Sequence, residues 1–150
     1  MDDLVQFLRD RLDEDERAAR LALGTNVMAR VRRGQPAPRW VPSPEEDAGI
    51  WDTDGIPRVK FVWARERDHI VRHDPVRVLR EVEAKRRLLG EHQHDGSGAC
   101  ALCALPEDFD DDAEGNRTFS RSAQPWPCTT VKLLALPYAD HPDHRDAWRP

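Results

Sequence analysis

His92, Cys100, Cys103 and Cys128 set one imidazole and three thiols close together in an otherwise strongly polar chain, and no other feature narrows its folds so far. Zinc favours soft sulfur and borderline nitrogen donors, and a Cys-x2-Cys turn lets two sulfurs reach one ion from a single tight loop. That loop is Cys100-Ala101-Leu102-Cys103, preceded by Gly96 and Gly98, which can take the backbone angles a chelating knuckle needs. Cys128 brings a third thiolate after 24 intervening residues, and His92 or His94 completes a tetrahedral set. The expected cofactor is thus a structural zinc ion on His92, Cys100, Cys103 and Cys128, with His94 as the alternative imidazole. Two other readings of the cysteines stay open. A redox-active dithiol needs a cation or helix N-terminus to lower the first thiol's pKa, yet no Lys or Arg lies between Gly90 and Asn116. The cysteines can also be unrelated small residues.

A metal staple would offset a thin core. Apolar residues make up 39 % of the 150 positions, below the globular norm of roughly 45–50 %, and small cores gain most from a bound ion. The length suits a single domain, 1–150. The opening residues are acidic and then amphipathic, and no 18-residue apolar run follows, so neither a signal peptide nor a membrane span is expected. The expected setting is cytoplasmic, where an odd set of three cysteines is metal-bound or free more often than disulfide-bonded. The formal charge of −5 disfavours a general phosphate-binding surface. Basic clusters at Arg30, Arg32, Arg33 and at Lys85, Arg86, Arg87 read as solvated faces.

Along the chain, Leu4, Phe7, Leu8, Leu12, Ala19 and Leu23 recur at helical steps and predict a helix over 3–23, with Asp2 or Asp3 at its start and Gly24 and Asn26 as stop signals. Residues 24–48 read as a proline-rich linker. A two-stranded ribbon is expected over 49–64 around the Asp54-Gly55 turn, with Trp51, Phe61 and Trp63 as its packing surface. Asp74-Pro75 opens the clearest helix, 74–91, because aspartate caps well and proline suits the first helical position. Residues 92–128 form the zinc knuckle with a polar acidic loop inside it, and 129–150 hold C-terminal helices whose Tyr138 and Trp148 dock beside Leu79, Val82 and Leu134. The fold class is mainly α: a small helical domain with a long central helix, a short β-hairpin insert and a zinc knuckle.

Other constellations carry less. The acidic loop fails as a calcium loop in both registers, since Ala113 or Arg121 stands where a glycine or a terminal glutamate is needed. His69 and His73 have metal-ligand spacing, but His73 precedes the cap of the long helix; His141 and His144 read as partly exposed residues at a helix start. No phosphate loop, nucleophile elbow or paired catalytic carboxylates stand out.

Three stretches carry a family likeness: DDLVxFL at 2–8, HIxRHDPxRVLREVEAKRR at 69–87, and the ending from Trp126-Pro127-Cys128 through LLALPYADHP at 133–142 to Trp148-Arg149-Pro150. They resemble a family of small uncharacterised actinobacterial and phage proteins classed as a domain of unknown function. The resemblance covers residues 2–16 and 67–150, and the proline-rich segment and ribbon look like a variable insert. It implies a His, Cys-x2-Cys, Pro-Cys series at His92, Cys100, Cys103 and Cys128, and it brings no activity. The expected function is a zinc-stapled cytoplasmic binding or regulatory module with an unknown protein partner, neither nucleic acid nor membrane. The alternatives are a nucleic-acid-associated regulator, which would gather both basic clusters on one face, and a metal-dependent enzyme, which would need an open metal position.

Overall fold

A computed structural model describes residues 3–45, 48–111 and 113–150, with side chains described except at 104–110 and 118–123. The chain divides into two compact units, Met1–Arg11 with Lys85–Pro150, and Leu12–Ala84. Helices α1 (Asp3–Leu23) and α4 (Pro75–Glu91) each supply residues to both. Among the described residues no helix is long and apolar enough to cross a membrane.

In the first unit, Leu4, Phe7 and Leu8 of α1 are buried at three- and four-residue spacing, each removal from water contributing roughly 1.5–3 kcal/mol. Their cluster takes in Leu89 of α4, Val131 and Ala135 of α5 (Thr129–Ala135), Trp148, and the thiols Cys100 and Cys128. Two short 3-10 turns, Leu136–Tyr138 and Asp146–Trp148, bring the C-terminus back onto this core. Phe7 meets Trp148 at 5.0 Å between ring centroids and Tyr138 edge-on at 6.3 Å. The C-terminal stretch is therefore docked, though against α1 and Leu134. The expected neighbours Leu79 and Val82 lie in the other unit, where Leu79 packs against the cluster of Leu23, Val27, Met28 and Val76.

The acidic segment expected as a loop is instead a hairpin of β4 (Ala99–Asp111) and β5 (Arg117–Pro125), antiparallel from Ala99↔Pro125 out to Asp111↔Arg117. Ladder hydrogen bonds satisfy the backbone whatever the charge of the side chains, so a carboxylate-rich composition does not exclude strands. Gly115, at φ 78°, lies in the connection between them.

The second unit corrects the linker. Gly24, at φ 87°, ends α1, but the chain re-enters helix at once as α2 (Thr25–Val31). Val27, Met28 and Val31 carry helical spacing and pack with Leu23 and Val76, and this apolar face outweighs Asn26 as a stop. Proline-rich chain then forms the edge strand β1 (Trp40–Pro42), which pairs with β2 (Ile50–Asp52), itself paired with β3 (Pro57–Val59). The ribbon is thus three-stranded, and proline is tolerated because β1 is an edge. Trp51 is half-buried, whereas Phe61 and Trp63 fall beyond β3, exposed and edge-on to each other at 5.5 Å; they are not its packing surface. A further helix, α3 (Ala64–Arg72), precedes Asp74, and His73 is its C-terminal cap.

Two buried aspartates organise this unit. Asp74 Oδ1 accepts the Arg77 N–H at 2.9 Å, capping α4, while Oδ2 accepts the Trp40 N–H at 3.1 Å and the Arg39 guanidinium. Asp52 Oδ1 accepts the N–H groups of Asp54 at 3.0 Å and Ile56 at 2.9 Å, closing the β2–β3 turn, and Oδ2 takes Arg58 Nε at 2.8 Å. Burial pushes the Asp52 carboxyl up, but the Ile56 N–H, the Arg58 guanidinium and the Asp54 N–H together outweigh it and hold the group below its ordinary range.

Candidate metal centre

Four side chains on three segments of the first unit converge on one point. His92 follows the last residue of α4, where its N–H still bonds the Leu88 carbonyl at 3.0 Å. Cys100 and Cys103 stand near the open end of the β4–β5 hairpin, between the paired positions Ala99↔Pro125 and Ala104↔Ala123. Five steps along β4 there match two along β5, so the Cys-x2-Cys turn is the surplus chain that bulges from the ladder. The chain leading into it is folded by hydrogen bonds of its own. Asp95 Oδ1 accepts the Ser97 N–H at 2.7 Å and the Ala99 N–H at 3.1 Å, Gly96 and Gly98 take φ of 92° and 99°, and the Ala101 N–H reaches the Gln93 carbonyl at 2.8 Å. Cys128 is the cap residue of α5, in extended backbone just after the cis Trp126-Pro127 bond.

The Nδ1 atom of His92 lies 3.6 Å from Cys100 Sγ, 3.3 Å from Cys103 Sγ and 3.5 Å from Cys128 Sγ, and all four donor atoms fall within 4.8 Å of one another. A tetrahedron with metal–sulfur bonds of about 2.3 Å and metal–nitrogen bonds of about 2.0–2.1 Å has nitrogen–sulfur edges of about 3.5–3.6 Å. The nitrogen–sulfur spacings therefore match those edges, and the four groups could hold one metal ion. His92, Cys100 and Cys128 are buried and Cys103 is half-buried.

The electrostatics ask for a cation. Burial pushes the Cys100 thiol up, but the N–H groups of Cys103 and Leu102, then His92 and Cys128, more than offset it and bring the group down to about 7. Burial and the neighbouring thiols of Cys128 and Cys100 drive Cys103 the other way, up to about 11. One thiolate forms readily here and then opposes the next, a conflict that a divalent ion among the sulfurs removes.

Of the two candidate imidazoles, the structure brings His92 into the cluster. His94 is exposed, its Nδ1 accepts the Gly96 N–H at 3.0 Å, and its ring stands edge-on to Trp126. The remaining histidines do other work. His69 and His73 stack at 4.6 Å with exposed rings, and no third His, Cys, Asp or Glu joins them among the described residues. His141 and His144 are half-buried and meet Phe7 edge-on, and Arg11 donates to the His141 ring. The Asp74–Arg39 and Asp52–Arg58 centres escaped the sequence reading: Asp74 was legible only as a cap, since its partners Arg39 and Trp40 lie far away in the chain.

No curated protein and no solved structure matches the chain. A family model does match, over residues 1–150, a span that includes the proline-rich segment and the ribbon. On that full-length match the chain belongs to the family of unknown function DUF6221.

Proposed function

We propose that His92, Cys100, Cys103 and Cys128 hold one zinc ion, that the ion is structural, and that the protein acts as a binding or regulatory module through protein contacts. The observation that carries this reading is the convergence of four donor atoms within 4.8 Å from the end of α4, the β4 bulge and the start of α5. Three thiolates and an imidazole match zinc's preferences, and four protein ligands leave no open position for a substrate or an activated water. Such an ion ties three chain segments together where the apolar core is small. For protein contacts the support is apolar surface in the same unit: Leu102 within the knuckle and Leu133 on α5 are about half exposed, at 54 % and 49 %.

A redox reading has one observation in its favour, the lowered Cys100 thiol. Attack requires access, however, and Cys100 is only 3 % exposed. Metal analysis of the purified chain separates the two. One equivalent of zinc is expected, lost on His92→Ala or Cys103→Ser and retained on His94→Ala, with cobalt(II) substitution giving the intense absorption of a tetrahedral thiolate site. A metal-free protein whose Cys100 reacts quickly with an alkylating reagent supports the dithiol instead. The module reading is tested by Leu102→Asp combined with Leu133→Asp, which should abolish a copurifying partner while leaving the zinc in place.

A further inference from the structure

The HIxRHDPxRV stretch contributes nothing to the metal centre, yet in the second unit it builds a cleft. Asp68, Val71 and Arg72 of α3 and Arg77 of α4 line a space of about 540 Å³ together with Arg39 and Trp40. That volume lies within the usual range for small-molecule sites, roughly 300–1,000 Å³.

Three arginines line one space, and two of them are held by carboxylates at Nε. Arg39 Nε is bound by Asp74, and Arg77 Nε donates to Glu81 Oε1 at 2.7 Å. These tethers fix the planes of the forks while leaving outward N–H groups at both Nη atoms of Arg39 and at Nη2 of Arg77; Arg77 Nη1 reaches the Arg72 carbonyl at 3.3 Å. The guanidinium of Arg72 has no partner among the described residues. Asp74 is fully buried and also capped onto Arg77's N–H, so the Arg39 tether is anchored in the fold itself. Trp40 adds an aromatic wall, and its indole N–H is shielded from solvent with no acceptor among the described residues.

We propose that this cleft binds a phosphate monoester of a small organic molecule, with Arg39, Arg72 and Arg77 around the phosphoryl oxygens and Trp40 and Val71 against the organic part. Pre-organised guanidinium forks match the oxygens of a phosphoryl group bidentately. A terminal dianion gains more from three such groups than a monoanionic carboxylate or phosphodiester does. Nucleic acid is disfavoured by the chain's formal charge of −5. Asp68 on the cleft wall opposes the anion and sets an upper limit on its affinity.

The test is calorimetric titration of the full zinc-loaded chain with phenyl phosphate, inorganic phosphate, dimethyl phosphate and acetate at constant ionic strength. The expected order has phenyl phosphate tightest and saturable, inorganic phosphate next, and dimethyl phosphate and acetate at least about tenfold weaker. Arg72→Ala should weaken phenyl phosphate about tenfold or more without moving the melting temperature. Arg72→Lys should recover only part of that loss, and Asp68→Asn should tighten binding. The assignment is overturned by absence of saturable binding, by equal affinity in wild type, Arg72→Ala and Arg72→Lys, or by acetate binding as well as phosphate. Tighter binding of an oligonucleotide than of phenyl phosphate, with a steep salt dependence, would transfer the cleft to nucleic acid and overturn it too.

Discussion

The two compact units bury polar groups by opposite means. In Leu12–Ala84, Asp52 and Asp74 go inside with their partners supplied by the chain: backbone N–H groups of Asp54, Ile56, Trp40 and Arg77, and the guanidinium groups of Arg58 and Arg39. In the other unit, Cys100, Cys128 and His92 go inside pointing at one another, and the thiols of the cluster oppose one another's ionisation, as at Cys103. In one unit the chain itself supplies the partners of both carboxylates, and in the other the clustered donors could hold a metal ion. A short apolar list can thus be supplemented by hydrogen-bonded charge or by coordination, and only coordination makes stability depend on solution composition.

The sharpest break of this contrast is removal of the ion proposed for that cluster. A strong chelator, or Cys128→Ser, should lower the melting temperature by more than about 10 °C, since a structural zinc site contributes many kcal/mol of folding free energy. Hydrogen exchange should show the loss in α5 and β4 first, with β1–β3 retaining protection longest. An unchanged melt after complete metal removal would falsify the coordinated half of the comparison.

Next in size is Asp74→Ala, which removes a helix cap and strands the Trp40 N–H and the Arg39 guanidinium. It should cost about 2–4 kcal/mol in denaturant unfolding, and the cost should be the same with and without chelator. A cost that vanishes once metal is removed would mean that the two devices act as one.

Asp52 sharpens the comparison through pH. Its folded-state pKa is lowered from 3.8, so its contribution is fully present above the unfolded value and is lost as pH falls through the folded one. Wild type should exceed Asp52→Asn in stability by about 1–3 kcal/mol at neutral pH, and the gap should close below about pH 4. A gap that widens on acidification would contradict the assigned sign.

The smallest effect is expected at the outer hairpin. Replacing 107–120 by a tight Asn-Gly turn removes only the pairs from Phe109↔Phe119 outward. The change should stay within about 1 kcal/mol by thermal melting, with zinc content unaltered. A large loss would show that the far end of β4–β5 supports the centre.

Legibility followed the range of the interaction. The long helix beginning at Asp74-Pro75 was readable because cap, proline and apolar stripe all lie within a few residues, and α1 likewise carried its period from Leu4 to Leu23. The acidic hairpin reads as a loop in the sequence because its stabilising bonds run between backbones of distant residues and leave no mark in composition. Residues 24–48 read as a linker for the reverse reason: the prolines at 36, 38, 42 and 44 set the character of the whole stretch, while Val27, Met28 and Val31 need Leu23 and Val76 opposite them to make a buried helix.

By itself the sequence determined which candidate donors were on offer, three thiols and a choice of two imidazoles, since these are chemical identities that no fold can alter, and it determined where the two longest helices begin. Tertiary structure alone decided that His92 and not His94 meets the three sulfurs. The two imidazoles are only two residues apart, but the N–H of His92 continues α4 while His94 turns its Nδ1 to Gly96, and only their placement against β4 and α5 separates them. It also decided that Asp74, a cap by sequence, receives Arg39 and Trp40 from across the unit. A local rule sees one oxygen of a carboxylate, and the second finds its partner only after the chain has folded.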